Sequence, residues 1–246
     1  MLRDAPVSFT NPWTKQVWSP KNSNNEYRGD VPMRKALELS LNAATVRLLE
    51  KIGVENVIEL AQRLHMSSNF EPNLSLALGS TEVIPLELAL AYATVARGGI
   101  YLPPKAVRSI STVENEEVYP NEPSEPELVV NPEEASMLID MMKGVVKQGT
   151  AAKAARMPYY LAGKTGTTND FRDAWFIGFS PNLLCAVWVG YDKETHLAGR
   201  ESGATAALPI WIDFMSKALT FYPNEDFSPP DKESISRFAP PFSNGN

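Results

Sequence analysis

At 246 residues, with 43% hydrophobic and 21% charged side chains, the chain is long enough to bury a substantial core in one domain with extensions. Its net charge of −6, without any basic cluster, argues against a nucleic-acid binder. One cysteine, Cys185, excludes an intrachain disulfide, and with only His65 and His196 beside it a Cys/His zinc site is disfavoured; neither metal nor cofactor is expected.

No stretch reaches the ~18 consecutive apolar residues of a membrane span. The longest apolar region, Val83 to Ala96, carries Glu82 at its edge and Glu87 inside. Met1 to Pro6 has no apolar signal core; if the working protein is exported, its targeting element is expected upstream of this sequence.

Residues 1 to 30 read as an extended, loop-like approach with no core of its own, with turns at Asn11-Pro12, Ser19-Pro20 and Arg28-Gly29 and with Trp13 and Trp18 as anchors. Pro32 opens a helix over Met33 to Ser40. A second helix runs from Ala43 to Ile52 and stops at Gly53, and a third spans Glu55 to Leu64, which His65 closes. Leu74 to Ser80 reads as a loop, and Pro85 to Arg97 as a helix closed by Gly98-Gly99.

Short strands follow at Ile100–Leu102, Ala106–Ile110 and Glu117–Tyr119, among acidic, proline-rich turns. Asn131 and Pro132 form an N-cap and first helical position for a helix to about Lys147, ended by Gly149-Thr150. The last block is an antiparallel meander of Tyr159–Thr165, Asp173–Phe179 and Leu183–Val189. The third of these is continuously apolar and is expected to be covered on both faces. Asp170, Arg172 and Asp173 read as a solvated hairpin turn, and Cys185 as a small buried hydrophobe. Leu208 to Leu219 is an apolar helix, and residues 221–246 read as a flexible tail beyond a domain of residues 1–220.

Gly163-Lys164-Thr165-Gly166-Thr167 is the segment richest in chemistry. A strand presenting a lysine, a hydroxyl and a glycine offers an ammonium for a carboxylate and for proton movement. The hydroxyls of Thr165 and Thr167 can bind that carboxylate, and Gly166 leaves room for a substrate backbone. The plain alternative is a lysine beside a hairpin turn. A phosphate-loop reading fails, because that loop needs a glycine where Pro158 stands and a helix where a strand follows.

Ser40-Leu41-Asn42 is the second candidate. At a helix–helix junction it could aim a hydroxyl and an amide into one cleft, for proton relay and for holding a carbonyl. The same pattern occurs at Ser23-Asn24-Asn25 and Ser67-Ser68-Asn69, and a helix cap explains Ser40 as well. None of the twelve lysines has a serine three positions before it, so no Ser-x-x-Lys nucleophile motif is present. Two histidines, neither near a candidate nucleophile, support no Ser/His/Asp triad.

Taken together in order and spacing, these stretches resemble the transpeptidase domain of class A penicillin-binding proteins. The resemblance is carried by Ser40 to Leu49, by Leu78 to Ala89, by Gly144 to Ala151, by Ala162 to Tyr191 and by Ala207 to Trp211. It implies an α/β (α+β) fold of the serine β-lactamase/DD-transpeptidase type, an antiparallel sheet with a helical subdomain. The first strands and the nucleophile helix of that fold would be missing, leaving an N-terminally truncated domain with an exposed sheet edge. It implies cross-linking of peptidoglycan stem peptides, with β-lactams as inhibitors, at the extracytoplasmic face of the inner membrane.

By the same resemblance Ser40, Asn42 and Lys164 are the catalytic residues present, and Thr165, Gly166 and Thr167 bind substrate. Without the nucleophile serine the oxyanion hole is incomplete, and the chain is expected to be inactive alone and to need the missing part of the synthase as partner. A non-catalytic module that binds stem peptides or a divisome protein is the alternative. A β-lactamase fits fewer features.

Overall fold

In the computed structural model, residues 1–10, 15–119, 124–168, 171–192 and 195–228 are described. Trp13, Asp170 and the segment 229–246 lie outside the described residues. Strands β1 (Leu2–Asp4) and β4 (Gly29–Val31) pair antiparallel, as do β2 (Phe9–Thr10) and β3 (Val17–Trp18). The described part of residues 1 to 30 therefore differs from the core-free loop read from sequence. Asp4 is fully buried; its carboxylate accepts from Asn22 Nδ2 at 2.8 Å and from the Arg28 N–H at 2.9 Å. Asn22 Oδ1 also accepts the Ala43 N–H at 3.2 Å, so a residue twenty-one positions away satisfies a helix N-terminus.

Helix α1 (Met33–Glu38) is two residues shorter than its apolar spacing suggests. Helices α2 (Asn42–Ile52) and α3 (Val54–Arg63) meet at Gly53, as the glycine predicts. His65 does close α3, with φ +59°, and its Nε2 meets Glu127 Oε2 at 2.8 Å while its ring stacks on Tyr101. Leu74–Leu78, read as a loop, is a 3-10 turn whose first N–H groups are satisfied by Asn73, which accepts from Ser75 at 3.0 Å. Helix α4 (Pro85–Ala96) leads to β5 (Ile100–Tyr101), which pairs with β8 (Glu127–Leu128); β6 (Ile110–Ser111) and β7 (Glu117–Tyr119) form a separate ribbon. Ala106 to Ser109 is not strand.

Helix α5 (Pro132–Gln148) begins where Asn131 and Pro132 place it; the Asn131 side chain accepts the Glu133 N–H at 2.9 Å. The principal sheet has the order β11-β10-β9, from β9 (Ala162–Thr167), β10 (Ala174–Phe179) and β11 (Leu184–Val189). Phe176 pairs with Thr165 and Val187, and Ile177 with Lys164 and Ala186. β10 is buried along most of its length because it alone has a strand on each side. β11 is not covered on both faces as expected: it is half-buried and Trp188 is 41% exposed, because β11 is a sheet edge.

Helix α6 (Leu208–Ala218) packs Leu208, Trp211 and Met215 against Phe176, Val145 and Val146. On the alternate positions of the sheet, Ala162 and Phe179 meet Ile139 and Met142 of α5. Residues 222–228, placed in the flexible tail from sequence, run back over the domain. Asn224 Nδ2 donates to the Pro158 carbonyl at 2.7 Å, and Phe227 meets Phe179 edge-on at 5.6 Å.

Trp211 is the central anchor of this packing. Its Nε1–H is shared between the carbonyls of Gly178 at 3.2 Å and Cys185 at 3.1 Å, tying α6 to two strands at once. A Cβ at Gly178 would come within 2.8 Å of the indole, so the glycine makes this approach possible. Trp211→Ala is expected to cost ~3–5 kcal/mol of stability by cavity formation. Trp211→Phe should cost less, mainly the lost hydrogen bond and part of the ring, with urea midpoints giving the order.

Candidate active site

The two sequence candidates come together. Lys164 Nζ donates to Ser40 Oγ at 2.9 Å, joining residues 124 positions apart. It also folds back onto its own strand and donates to the Thr165 carbonyl at 2.8 Å. Burial pushes the ammonium down from its ordinary range to about 8, since charge is disfavoured away from water. Lys164 is thus still mostly charged at neutral pH but gives up its proton more readily than an ordinary lysine, which suits a group that moves protons.

Ser40 owes its position to the way α1 ends. Its N–H donates to the Leu37 carbonyl at 3.2 Å, and the Leu41 N–H donates to the Ala36 carbonyl at 2.9 Å. That pair of bonds is a Schellman termination, with Ser40 at the left-handed position where glycine is preferred and φ is +53°. Leu41 then packs on Ala36, the hydrophobic contact that accompanies the motif. Ser40 is therefore a cap, but at a helix C-terminus and by its backbone, which leaves its hydroxyl for Lys164.

Asn42, the other half of the pair, is not joined to Lys164. It stands at the first turn of α2, and its Nδ2 donates to the Lys21 carbonyl at 2.8 Å. On the strand, Thr165 Oγ1 lies 2.7 Å from Thr150 Oγ1. Thr167, exposed, accepts the Gly203 N–H at 3.0 Å. A Cβ at Gly166 would lie 3.1 Å from the Trp175 Cβ, so this glycine answers first to its cross-strand neighbour. A Cβ at Gly203 would overlap the Trp175 and Gly166 carbonyl oxygens.

Thr150 and Gly203 were not singled out from sequence as site residues. Neither has a local signal of chemistry; Thr150 looks like a helix stop, and Gly203 is one glycine among fourteen. Asp173 and Thr168 shape the hairpin after the motif: Thr168 Oγ1 accepts the N–H groups of Arg172 and Asp173, and Asp173 Oδ1 accepts Trp188 Nε1 at 2.8 Å. Among the described residues no cluster of three or more potential metal ligands occurs. A groove of about 630 Å³ on the outer side of α6, floored by Leu183, Ile210 and Phe214, contains none of these site residues.

Comparison with known proteins gives one family. Residues 2–215 match the penicillin binding protein transpeptidase domain. Penicillin-binding protein 1A of Aquifex aeolicus is 42% identical over 232 residues, covering 94% of this chain and 32% of that protein. The Pseudomonas aeruginosa protein of the same name is 32% identical, covering 94% and 34%. This chain spans about a third of the length of these relatives. Among solved structures, penicillin-binding protein 1A from Haemophilus influenzae superposes with a TM-score of 0.85 at 27% identity, covering 93% of this chain and 40% of that one. PonA1 from Mycobacterium tuberculosis in complex with penicillin V gives 0.79 at 25%, covering 94% and 66%.

Two outcomes test the geometry. Ser40→Gly and Ser40→Ala both remove the hydroxyl, but only alanine keeps a Cβ in the left-handed region; the glycine variant should be the more stable by roughly 1 kcal/mol. Because Lys164 titrates near 8 when folded and near 10.5 when unfolded, the unfolded chain binds more protons between those values. Stability should therefore rise as pH climbs through that window, by at most about 3 kcal/mol, and Lys164→Met should abolish the rise. Denaturant melts from pH 7 to 11 measure all three variants.

Proposed function

This chain belongs to the penicillin binding protein transpeptidase family, and we propose that it forms the Lys164 wall of a peptidoglycan D,D-transpeptidase site. In that role it serves stem-peptide cross-linking at the extracytoplasmic face of the inner membrane. The 2.9 Å contact from Lys164 to Ser40 is the observation that carries the reading.

The chemistry follows from the groups present. A substrate carboxylate, of a stem peptide or of a β-lactam, is drawn to the Lys164 ammonium and accepts hydrogen bonds from Thr165 and Thr167. Ser40 passes a proton between Lys164 and the reacting centre. Asn42, at the start of α2, holds the substrate once its amide leaves the Lys21 carbonyl. Attack on the substrate carbonyl needs a serine activated by a neighbouring lysine. This sequence has no Ser-x-x-Lys, so acylation depends on a partner segment that supplies one. The same absence supports a second reading, in which the chain acts as a non-catalytic module that holds stem peptides by their carboxylate.

The purified chain incubated with penicillin should show no covalent adduct by intact mass. A mass increase of one penicillin would sink this proposal. Amide NMR with an N-acetylated peptide ending in D-Ala-D-Ala should shift signals at Lys164 to Thr167; no shift there would remove the substrate assignment. Acylation regained on adding a polypeptide that carries the Ser-x-x-Lys segment would separate the first reading from the second.

A further inference from the structure

The geometry points to Thr150 as a positioning residue that sets the direction of the Thr165 hydroxyl proton, so that Thr165 donates to a ligand carboxylate. This inference rests on the reading of the Lys164 strand as a carboxylate site and adds a residue to it from outside the strand. Thr150 lies on the loop after α5, and its Oγ1 is 2.7 Å from Thr165 Oγ1.

Thr150 is held as a fixed point. Its N–H donates to the Glu38 carbonyl at 3.0 Å, and the Gly149 and Ala151 N–H groups both donate to the Val145 carbonyl at 3.1 Å. A Cβ at Gly149 would overlap the Glu38 carbonyl oxygen, and one at Gly144 would overlap Glu38 Oε1. Both glycines let α5 close onto the last turn of α1. The Glu38 side chain, 1% exposed, fills the space so created and accepts Gln148 Nε2 on both oxygens at 3.0 Å. Lys35 Nζ reaches its Oε2 at 3.3 Å. The backbone that carries Thr150 is thereby fastened two residues before Ser40.

Proton counting gives the direction. Each hydroxyl has one proton and two lone pairs, and the Thr150–Thr165 contact consumes one proton. Lys164 does not compete, because its bonds go to Ser40 and to the Thr165 carbonyl. A carboxylate only accepts. When it meets Thr165, the Thr165 proton turns to the ligand and Thr150 donates into the Thr165 oxygen. A chain of two hydroxyls in series polarises, which strengthens the outer bond to the anion.

The test compares two N-acetylated peptides that end in D-Ala-D-Ala, one with a free carboxylate and one amidated, by NMR titration of the purified chain. The wild type should prefer the acid. Thr150→Val, which keeps shape and removes the hydroxyl, should shrink that preference roughly fivefold, the worth of one hydrogen bond. Thr150→Ser should keep it. A merely structural role would shift melting temperature or both affinities together and leave the acid-to-amide ratio unchanged. If Thr150→Val does not fold, Thr150→Ala should lose the preference while Thr150→Ser retains it. An unchanged ratio in Thr150→Val or Thr150→Ala, with loss in Thr165→Val, overturns this inference and leaves the carboxylate site standing. No acid preference in the wild type, or no loss in Lys164→Met and Thr165→Val, removes that site and this inference with it.

Discussion

The arrangement of this protein depends on one joint, where the last turn of α1 meets the end of α5. Glu38 is buried there, and a carboxylate taken from water must find compensating bonds. Gln148 and Lys35 supply them, and Gly144 and Gly149 leave the room. Because α5 also packs along β9 through Ile139, Met142 and the neighbouring Val145 and Val146 clusters, the joint fixes the register between α1 and the sheet. Ser40 leaves α1 two residues after Glu38, and Lys164 lies on β9. Their contact is a consequence of how three elements are bolted together.

Local rules are broken where the chemistry sits. Ser40 occupies a backbone region that disfavours a side chain, in a termination motif that glycine fills with less strain. Lys164 is desolvated enough to lose much of its affinity for a proton. Around both, the apolar clusters obey ordinary packing, with Trp211 closing one face of the sheet and Phe179 with Met142 the other. A fold that keeps a strained serine against a desolvated lysine must hold both from several sides, and the joint at Glu38 does so for each.

Much of this was legible in the residues, and the parts that were not share a cause. The helices announced themselves through apolar spacing and through Gly53, Gly98 and the Asn131-Pro132 start, all local signals. The three strands of the sheet lay within two or three residues of their places. What failed was whatever depended on distant partners. Asp4 and Asn22 looked like loop residues because their burial comes from α2, and β11 looked buried because its apolar run does not reveal that it is an edge. Ser40 and Lys164 could be paired from sequence only through family resemblance, since no spacing rule spans 124 residues. Thr150 read as a helix stop because its hydroxyl partner lies on β9, beyond any local pattern.

The same contact also limits what Ser40 can do. A nucleophilic serine needs an acceptor for its proton, and a lysine ammonium is a donor only. With Lys164 charged, the Ser40 oxygen receives a proton-bearing neighbour at 2.9 Å and its own proton must point elsewhere. That is the configuration of a relay, able to hand one proton on and take another from Lys164. Only the neutral amine, the major form above a pH of about 8, could accept from Ser40, and Lys164 would still be fastened to the Thr165 carbonyl. At neutral pH the contact therefore leaves Ser40 without a ready acceptor on Lys164 for its own proton, which disfavours Ser40 as a nucleophile.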